Sequence, residues 1–368
     1  MKKLNIPYVN LSKQWRVERA TLLKIIDKVI STQDWVGGTE IAKFEKNILK
    51  YTNTKYAVGL NSGTDSLTLG LASIGVRKDD EVITTPNSFI ASVASIVHLG
   101  AKPVFVDVKQ DQNIDASLIE SKITKKTKAI MPVHLTGRVS DMDKIIKIAK
   151  KYSIPIIEDA AQAIGAKYKN HYAGSFGKVG CFSAHPLKNL NAVGDSGYLV
   201  TNDKKIYENT KLLRNHGLVD RNIVKRFGYV SRMDTIQAAI LNYRLKKLDK
   251  VINQRRKNFK IYSENLNKKY VYFPLEQSYN FNTYHTFVIQ TKKRNKLKQY
   301  LKKNGVGTAI HYPIPIHLQN SSKSFNYKQG DFPNAEKQAS QILTLPINES
   351  LKINDIIKIS NLINSFFK

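Results

Sequence analysis

Lys188 stands at the end of Phe182-Ser183-Ala184-His185-Pro186-Leu187-Lys188, where an apolar strand runs into a proline-containing turn. A second turn, Gly194-Asp195-Ser196-Gly197, follows closely. A single lysine of so basic a chain reads first as a solvated surface charge. An amine behind a buried strand has another chemistry: with its pKa lowered by burial or cationic neighbours, it attacks a carbonyl and forms a Schiff base. Asp159 ends the apolar run Ile154-Pro155-Ile156-Ile157 and precedes Ala160-Ala161-Gln162. A carboxylate there can pair with a protonated pyridine nitrogen, ligate a metal with Glu158, or cap the next helix. No nearby histidine spacing completes a metal site. Asn61-Ser62-Gly63-Thr64-Asp65 joins a short apolar run to a helical stretch. Its free amides can hold a phosphate, with Gly63 allowing close approach and the Ser62 and Thr64 hydroxyls adding donors. The plainer reading makes Thr64 or Asp65 a helix N-cap.

These residues share a position: strand ends that lead into helices, the edge where open α/β sheets bind ligands. From about residue 55 to 245, strand-like and helix-like segments alternate, which predicts a parallel sheet wrapped by helices. The strands are Tyr56 to Leu60, Glu81 to Thr84, Pro103 to Val108, Ala129 to Val133, Ile154 to Ile157, Gly180 to Ser183 and Gly197 to Val200. A helical pattern rich in Lys and Arg runs from Thr235 to about Leu266 and reads as a connector. Beyond it, Phe287 to Gln290, the helix Asn295 to Lys303 and Thr308 to Ile310 predict a smaller α+β domain. The division expected is residues 1–245 and 246–368. His134 and His185 read as satisfied polar residues at strand ends, and Gly37-Gly38 as a loop.

Composition narrows the field. The 368 residues, 42% hydrophobic and 24% charged, are comfortable for two packed domains. No stretch approaches the ~20 apolar residues of a membrane span. Met1-Lys2-Lys3-Leu4-Asn5 lacks an apolar continuation, so no secretory signal is read and a cytoplasmic protein is expected. The lone Cys181 excludes an intrachain disulfide and reads as a small buried hydrophobe. The formal net charge of +30 comes from basic residues, mostly lysines, spread along the whole chain. Without an arginine-rich arm or a zinc-finger spacing, it reads as a solvated basic surface, with nucleic-acid binding a minority reading. The absence of Gly-x-Gly-x-x-Gly after a strand, and of a Walker-type loop, argues against nicotinamide dehydrogenases and nucleotidases.

Taken in order, the phrases resemble the DegT/DnrJ/StrS family of sugar aminotransferases. They are Asn61 to Leu67, Thr85-Pro86-Asn87-Ser88-Phe89, Glu158 to Gln162, Phe182 to Leu190, Leu213-Arg214-Asn215-His216-Gly217, Ser231-Arg232-Met233-Asp234 with Gln237-Ala238-Ala239, and His311-Tyr312-Pro313 to His317. The likeness spans about residues 7–320. It implies an aspartate-aminotransferase-like fold (fold type I), whose large domain holds a mixed, mainly parallel sheet beside a smaller C-terminal α+β domain. It also implies a homodimer with active sites at the interface, and pyridoxal 5'-phosphate as cofactor with pyridoxamine phosphate as intermediate. By resemblance, Lys188 forms the Schiff base and Asp159 keeps the pyridine nitrogen protonated, so that the ring accepts electrons. Gln162 lies near the ring hydroxyl and Phe89 stacks on the ring. Gly63, Thr64 and Ser183, with Ser62 beside them, bind the phosphate. Arg232, Tyr312 and His317 are substrate candidates, each equally readable as an interface or core residue.

The activity implied is transfer of an amino group from an amino acid, L-glutamate, to a nucleotide-diphosphate-linked keto-deoxysugar. The wording around Lys188 favours the sugar's third carbon over the fourth, and the product class serves amino-sugar and cell-surface polysaccharide (lipopolysaccharide) synthesis. Two departures stand out. Val230 occupies the place of a family asparagine that reaches the partner's cofactor phosphate, which predicts weaker cofactor binding. Ser196 replaces a glycine of the second turn. They support the alternative of a family member with lost or altered turnover, while the charge supports a third reading, a basic nucleic-acid binder.

Overall fold

The computed structural model describes residues 5–368; Met1 to Leu4, on which the reading of the amino terminus partly rests, lie outside them. Seven strands lie side by side in the order Tyr56–Leu60, Gly197–Thr201, Val179–Ser183, Ile157–Asp159, Thr127–Ile130, Glu81–Thr84 and Lys102–Phe105. The middle joint is made by the parallel bridges Ile130 to Ile156 and Val133 to Asp159. Gly197–Thr201 runs antiparallel to both its neighbours, and the other pairings from Val179–Ser183 onward are parallel. The sheet is therefore mixed and mainly parallel, as the fold-type reading implies.

Adjacent residues of a strand point to opposite faces, and here both faces are covered. Val58, Val82, Ala129, Cys181 and Leu199 pack into one apolar cluster. Their neighbours Ala57, Ile83, Ile130, Phe182 and Val200 pack into another. That is why the strands read as continuous apolar runs and not as alternations. Cys181 is buried, and its thiol donates to the Ser66 carbonyl at 3.1 Å.

Two strands match the apolar runs read from the sequence, Tyr56–Leu60 and Glu81–Thr84, and the others are displaced by a few residues in either direction. The strand before Asp159 covers Ile157–Asp159 and includes both carboxylates. The helix expected over Thr235 to Leu266 is two helices, Thr235–Leu245 and Leu248–Asn265. The second contributes Leu248 and Ile252 to the large core, and Tyr262 to a separate core built with Phe287, Leu297, Leu343 and Ile359. Around that second core lie the antiparallel strands Phe287–Gln290 and Ile342–Leu345 and the helices Arg294–Lys303 and Ile353–Phe367. Of the strand expected at Thr308 to Ile310, a single bridge from Ala309 to Thr344 is present. The amino-terminal segment belongs here as well, through a bridge from Ile6 to Val306, before the helix Leu11–Ser31 turns back to the large core. Among the described residues no helix is long and apolar enough to cross a membrane.

Candidate active site

A cleft of about 1090 Å³ opens where the sheet's strand ends meet the second core. Ser62, Gly63, Thr64, Phe89, Asp159, Gln162, Ser183, Lys188 and Tyr312 all line it. Nine residues spread over 251 positions of sequence thus meet in one place.

The first wall is made of strand ends. Helix Gly63–Ser73 is capped by Ser62, whose hydroxyl accepts from the Asp65 amide at 3.1 Å. The cap is two or three residues earlier than the Thr64 or Asp65 expected, which leaves the Gly63 and Thr64 amides at the helix mouth. Gly63 is required by contact: a Cβ there would stand 2.6 Å from the Ser183 Cβ. Ser183 ends the strand two places along the sheet, so glycine brings the helix mouth and that strand end together around a small, donor-rich cradle. An amide-lined cradle at a helix N-terminus fits a phosphate group.

Asp159 is buried and held from both sides. Ser92 Oγ donates to Oδ2 at 2.6 Å, and the Ala161 amide donates to Oδ1 at 3.2 Å. Its neighbour Glu158 has a different role. Glu158 is fully buried and accepts from His134 Nε2 at 2.9 Å and from the amides of Gly174, Phe176 and Gly177 at 2.7 Å each. All its capacity goes to the fold, and it does not line the cleft. His134 is the satisfied strand-end residue expected. Gln162 Oε1 accepts from the Thr136 amide at 2.8 Å, which aims the carboxamide at the Tyr312 hydroxyl. Phe89, 54% exposed, faces the cleft with its ring centroid 5.9 Å from that of Tyr312.

Lys188 lies on the floor, in the turn after Val179–Ser183, where its amide donates to the His185 carbonyl at 2.8 Å. Loss of solvent around the ammonium pushes its pKa down to about 8, against the pull of the Asp159 carboxylate, which raises it. At neutral pH roughly a tenth of such an amine is uncharged, against fewer than one in a thousand for an ordinary lysine. Desolvation has therefore made this lysine a usable nucleophile.

The second wall was not legible beforehand. It brings Tyr8, His285, His311 and Arg255 to the cleft. Burial, then the charge on Lys188, pushes His311 down to about 4, and the same two causes hold His285 well below its ordinary value. Burial pushes the Tyr8 phenol up to about 12. These side chains are neutral at pH 7, so this side of the cleft owes its positive charge to lysine and arginine. His285 sits in a Thr-rich phrase with no distinguishing pattern. Ser92 did leave a signal, as one of two serines, with Ser95, buried in the largely apolar helix Ala91–His98.

Two of the substrate candidates lie elsewhere. His317 is buried in the 3-10 turn Ile316–Leu318, where Nε2 pairs with Glu336 Oε1 at 3.0 Å and the ring packs edge-on to Phe332. Arg232 donates to Asn215 Oδ1 at 2.9 Å and lines a separate cavity of about 740 Å³ beside Arg214. Neither reaches the cleft within one chain. Val230 is 57% exposed and bridges Asn215, while Ser196 is buried with its hydroxyl unpartnered.

A desolvated lysine facing a hydrogen-bonded carboxylate, beside a cradle of helix amides, defines an enzyme that works on amines through a phosphorylated carbonyl cofactor. The chain belongs to the DegT/DnrJ/EryC1/StrS aminotransferase family, whose model matches residues 17–364. This is a family of pyridoxal-phosphate-dependent sugar aminotransferases. The chain is 39% identical over 353 residues to a pleiotropic regulatory protein of Geobacillus stearothermophilus, covering 95% of each. It is 36% identical to the dTDP-3-amino-3,6-dideoxy-alpha-D-galactopyranose transaminase of Aneurinibacillus thermoaerophilus, covering 99% of this chain and 98% of that one. Among solved structures it matches S. venezuelae DesV, captured with a ketimine intermediate, at a TM-score of 0.96 and 33% identity over 99% of both chains.

Proposed function

We propose that this protein transfers an amino group from L-glutamate to carbon 3 of a nucleotide-diphosphate-linked keto-deoxysugar, for amino-sugar synthesis. The observation that carries the reading is Lys188, desolvated on the cleft floor with Asp159 within electrostatic reach. Pyridoxal phosphate, when bound, supplies a carbonyl for amines to attack and a protonated ring that takes up electrons. The Gly63 and Thr64 amides and the Ser62 and Ser183 hydroxyls would hold its phosphate. Asp159, kept in place by Ser92, would receive the ring N–H. Gln162 and Phe89 line the same cleft and would meet the ring. Lys188 Nζ, uncharged for part of the time at neutral pH, would take the proton from the donor Cα as general base and deliver that same proton to the cofactor's C4′ as general acid.

Carbon 3 is favoured by the phrase around Lys188 and by the Aneurinibacillus relative, whose product carries its amine there. A homodimer with shared sites is part of the same proposal. Val219, Ile223, Val224, Phe227, Tyr229 and Val230 are exposed in one stretch, with Phe227 at 97%. That much apolar surface in one segment suits a partner subunit. The test is a panel of dTDP- and UDP-linked 3-keto and 4-keto sugars offered to the pyridoxamine-phosphate form. Consumption with a 3-keto sugar is expected; turnover confined to 4-keto sugars, or to none, contradicts the assignment.

A further inference from the structure

An amino acid that reacts at Lys188 brings at least one carboxylate into the cleft, and that carboxylate needs a cation. Most cations on the cleft wall are already engaged or lie at its rim. Arg244 is held by Glu18 through two bonds, and by the carbonyls of Asn191 and Ala192. Lys13 Nζ donates to the Ser350 carbonyl at 2.8 Å. Lys250 and Lys352 are exposed at the rim. Arg255 differs from all of them. It is 7% exposed, lines the cleft, and lies within electrostatic reach of His285, which also feels Lys188. Its Nη1 donates to the Tyr284 and His285 carbonyls at 3.3 and 3.0 Å, which fixes the plane of the guanidinium. Its Nε is buried without a partner. Its one carboxylate is Glu349, 3.1 Å from Nη2, on the loop after strand Ile342–Leu345, with 34% of its side chain exposed.

We infer that Arg255 is the carboxylate anchor for the amino donor, and that Glu349 is a place-holder which the donor's carboxylate displaces. The inference rests on the proposed amino transfer at Lys188. A buried arginine left unpaired is strongly unfavourable, so an anchor that must stand empty between turnovers needs a carboxylate of its own. Glu349 meets that need without becoming permanent, because about a third of its side chain is in water and it sits on a loop. The guanidinium fork accepts a carboxylate through two parallel bonds, and the unpartnered Nε beside the engaged Nη2 offers the second of them. The backbone bonds through Nη1 stay in place throughout, so exchange of one carboxylate for another leaves His285 where it is.

The experiment follows the visible absorbance of the cofactor-loaded enzyme during titration with L-glutamate, and separately with hydroxylamine, an amine nucleophile without a carboxylate. Arg255→Gln should weaken the glutamate response on the order of ten- to a hundredfold, the loss of a charge-assisted contact, and leave the hydroxylamine response unchanged. Glu349→Gln, at a partly exposed site that does not threaten folding, should tighten the glutamate response several-fold. Equal loss of both responses in Arg255→Gln overturns the inference, because the arginine would then serve the fold alone. An unchanged or weakened glutamate response in Glu349→Gln overturns it too. If wild type shows no cofactor band, the reading of Lys188 fails and this inference fails with it; a normal wild-type response with indifferent variants defeats the anchor alone.

Discussion

The two walls of the cleft are built in opposite ways. The wall of Ser62, Gly63, Asp159, Gln162 and Ser183 comes from the ends of strands of one sheet, and its polar side chains are bonded to the fold: Ser62 to Asp65 and Asp159 to Ala161 locally, Asp159 to Ser92 and Gln162 to Thr136 across the sheet edge. The wall of Tyr8, Arg255, His285 and His311 is drawn from both ends of the chain, and its Nδ1 of His285 and Nε of Arg255 are buried without partners. A wall whose side chains are braced by bonds to the fold keeps one geometry, and here it holds the free Gly63 and Thr64 amides in place. A wall that retains unsatisfied buried groups is in a higher state of readiness for a ligand. We read the first as the holder of the cofactor, which stays, and the second as the receiver of substrates, which come and go.

Substitution in the first wall should have the larger consequences. Asp159→Asn keeps the shape but removes the charge that Ser92 and Ala161 orient; amino transfer should fall by about 10²–10³-fold, measured as single-turnover reduction of cofactor absorbance. Gly63→Ala places a methyl 2.6 Å from the Ser183 Cβ, and overpacking of about 1–3 kcal/mol should weaken cofactor binding on the order of tenfold, read by fluorescence titration. If both variants bind and react like wild type, the distinction between the walls is lost.

The pH dependence sharpens the same contrast. Lys188 is depressed to about 8 in the folded protein, so the folded state releases its proton before the unfolded state does. Apoenzyme stability should therefore gain from this group as pH rises from about 8 to the unfolded lysine value near 10.4, and carry the full burial penalty below 8. The rate of cofactor capture should climb roughly tenfold from pH 7 and level off above 8. A rate still rising at pH 10 would mean an ordinary, solvated lysine. The smallest effect belongs to His317→Gln, outside both walls: about 1 kcal/mol of stability from the lost Glu336 bond, with turnover within about twofold of wild type. A large loss of turnover would place His317 at the site after all.

The legibility of the sequence follows the same division. Glu158-Asp159-Ala160-Ala161-Gln162 and Ser62-Gly63-Thr64 are short because a strand end and the turn after it are local structures, so type and spacing survive in one dimension. The alternation of the sheet's two faces could not be seen, since both faces are covered and the inner positions of the strands are apolar on each side. The break at Lys246-Lys247 was hidden because both halves of the segment carry good helix formers; the passage from one core to the other comes later, within the second helix between Ile252 and Tyr262. Arg255 and His285 left no trace, since their meeting is a product of long-range packing around the second core. Arg232 and His317 show the converse: a family phrase locates them, and within one chain they pair with Asn215 and Glu336 away from the cleft.

The central claim is that one lysine among the many of this basic chain is set apart by burial. The direct test is to incubate the protein with pyridoxal phosphate at pH 7, reduce with borohydride and map the modified peptide by mass spectrometry. The account predicts a single stoichiometric phosphopyridoxyl group on Lys188, absent from Lys188→Ala. Label scattered over exposed lysines, with Lys188 unmodified, would contradict it.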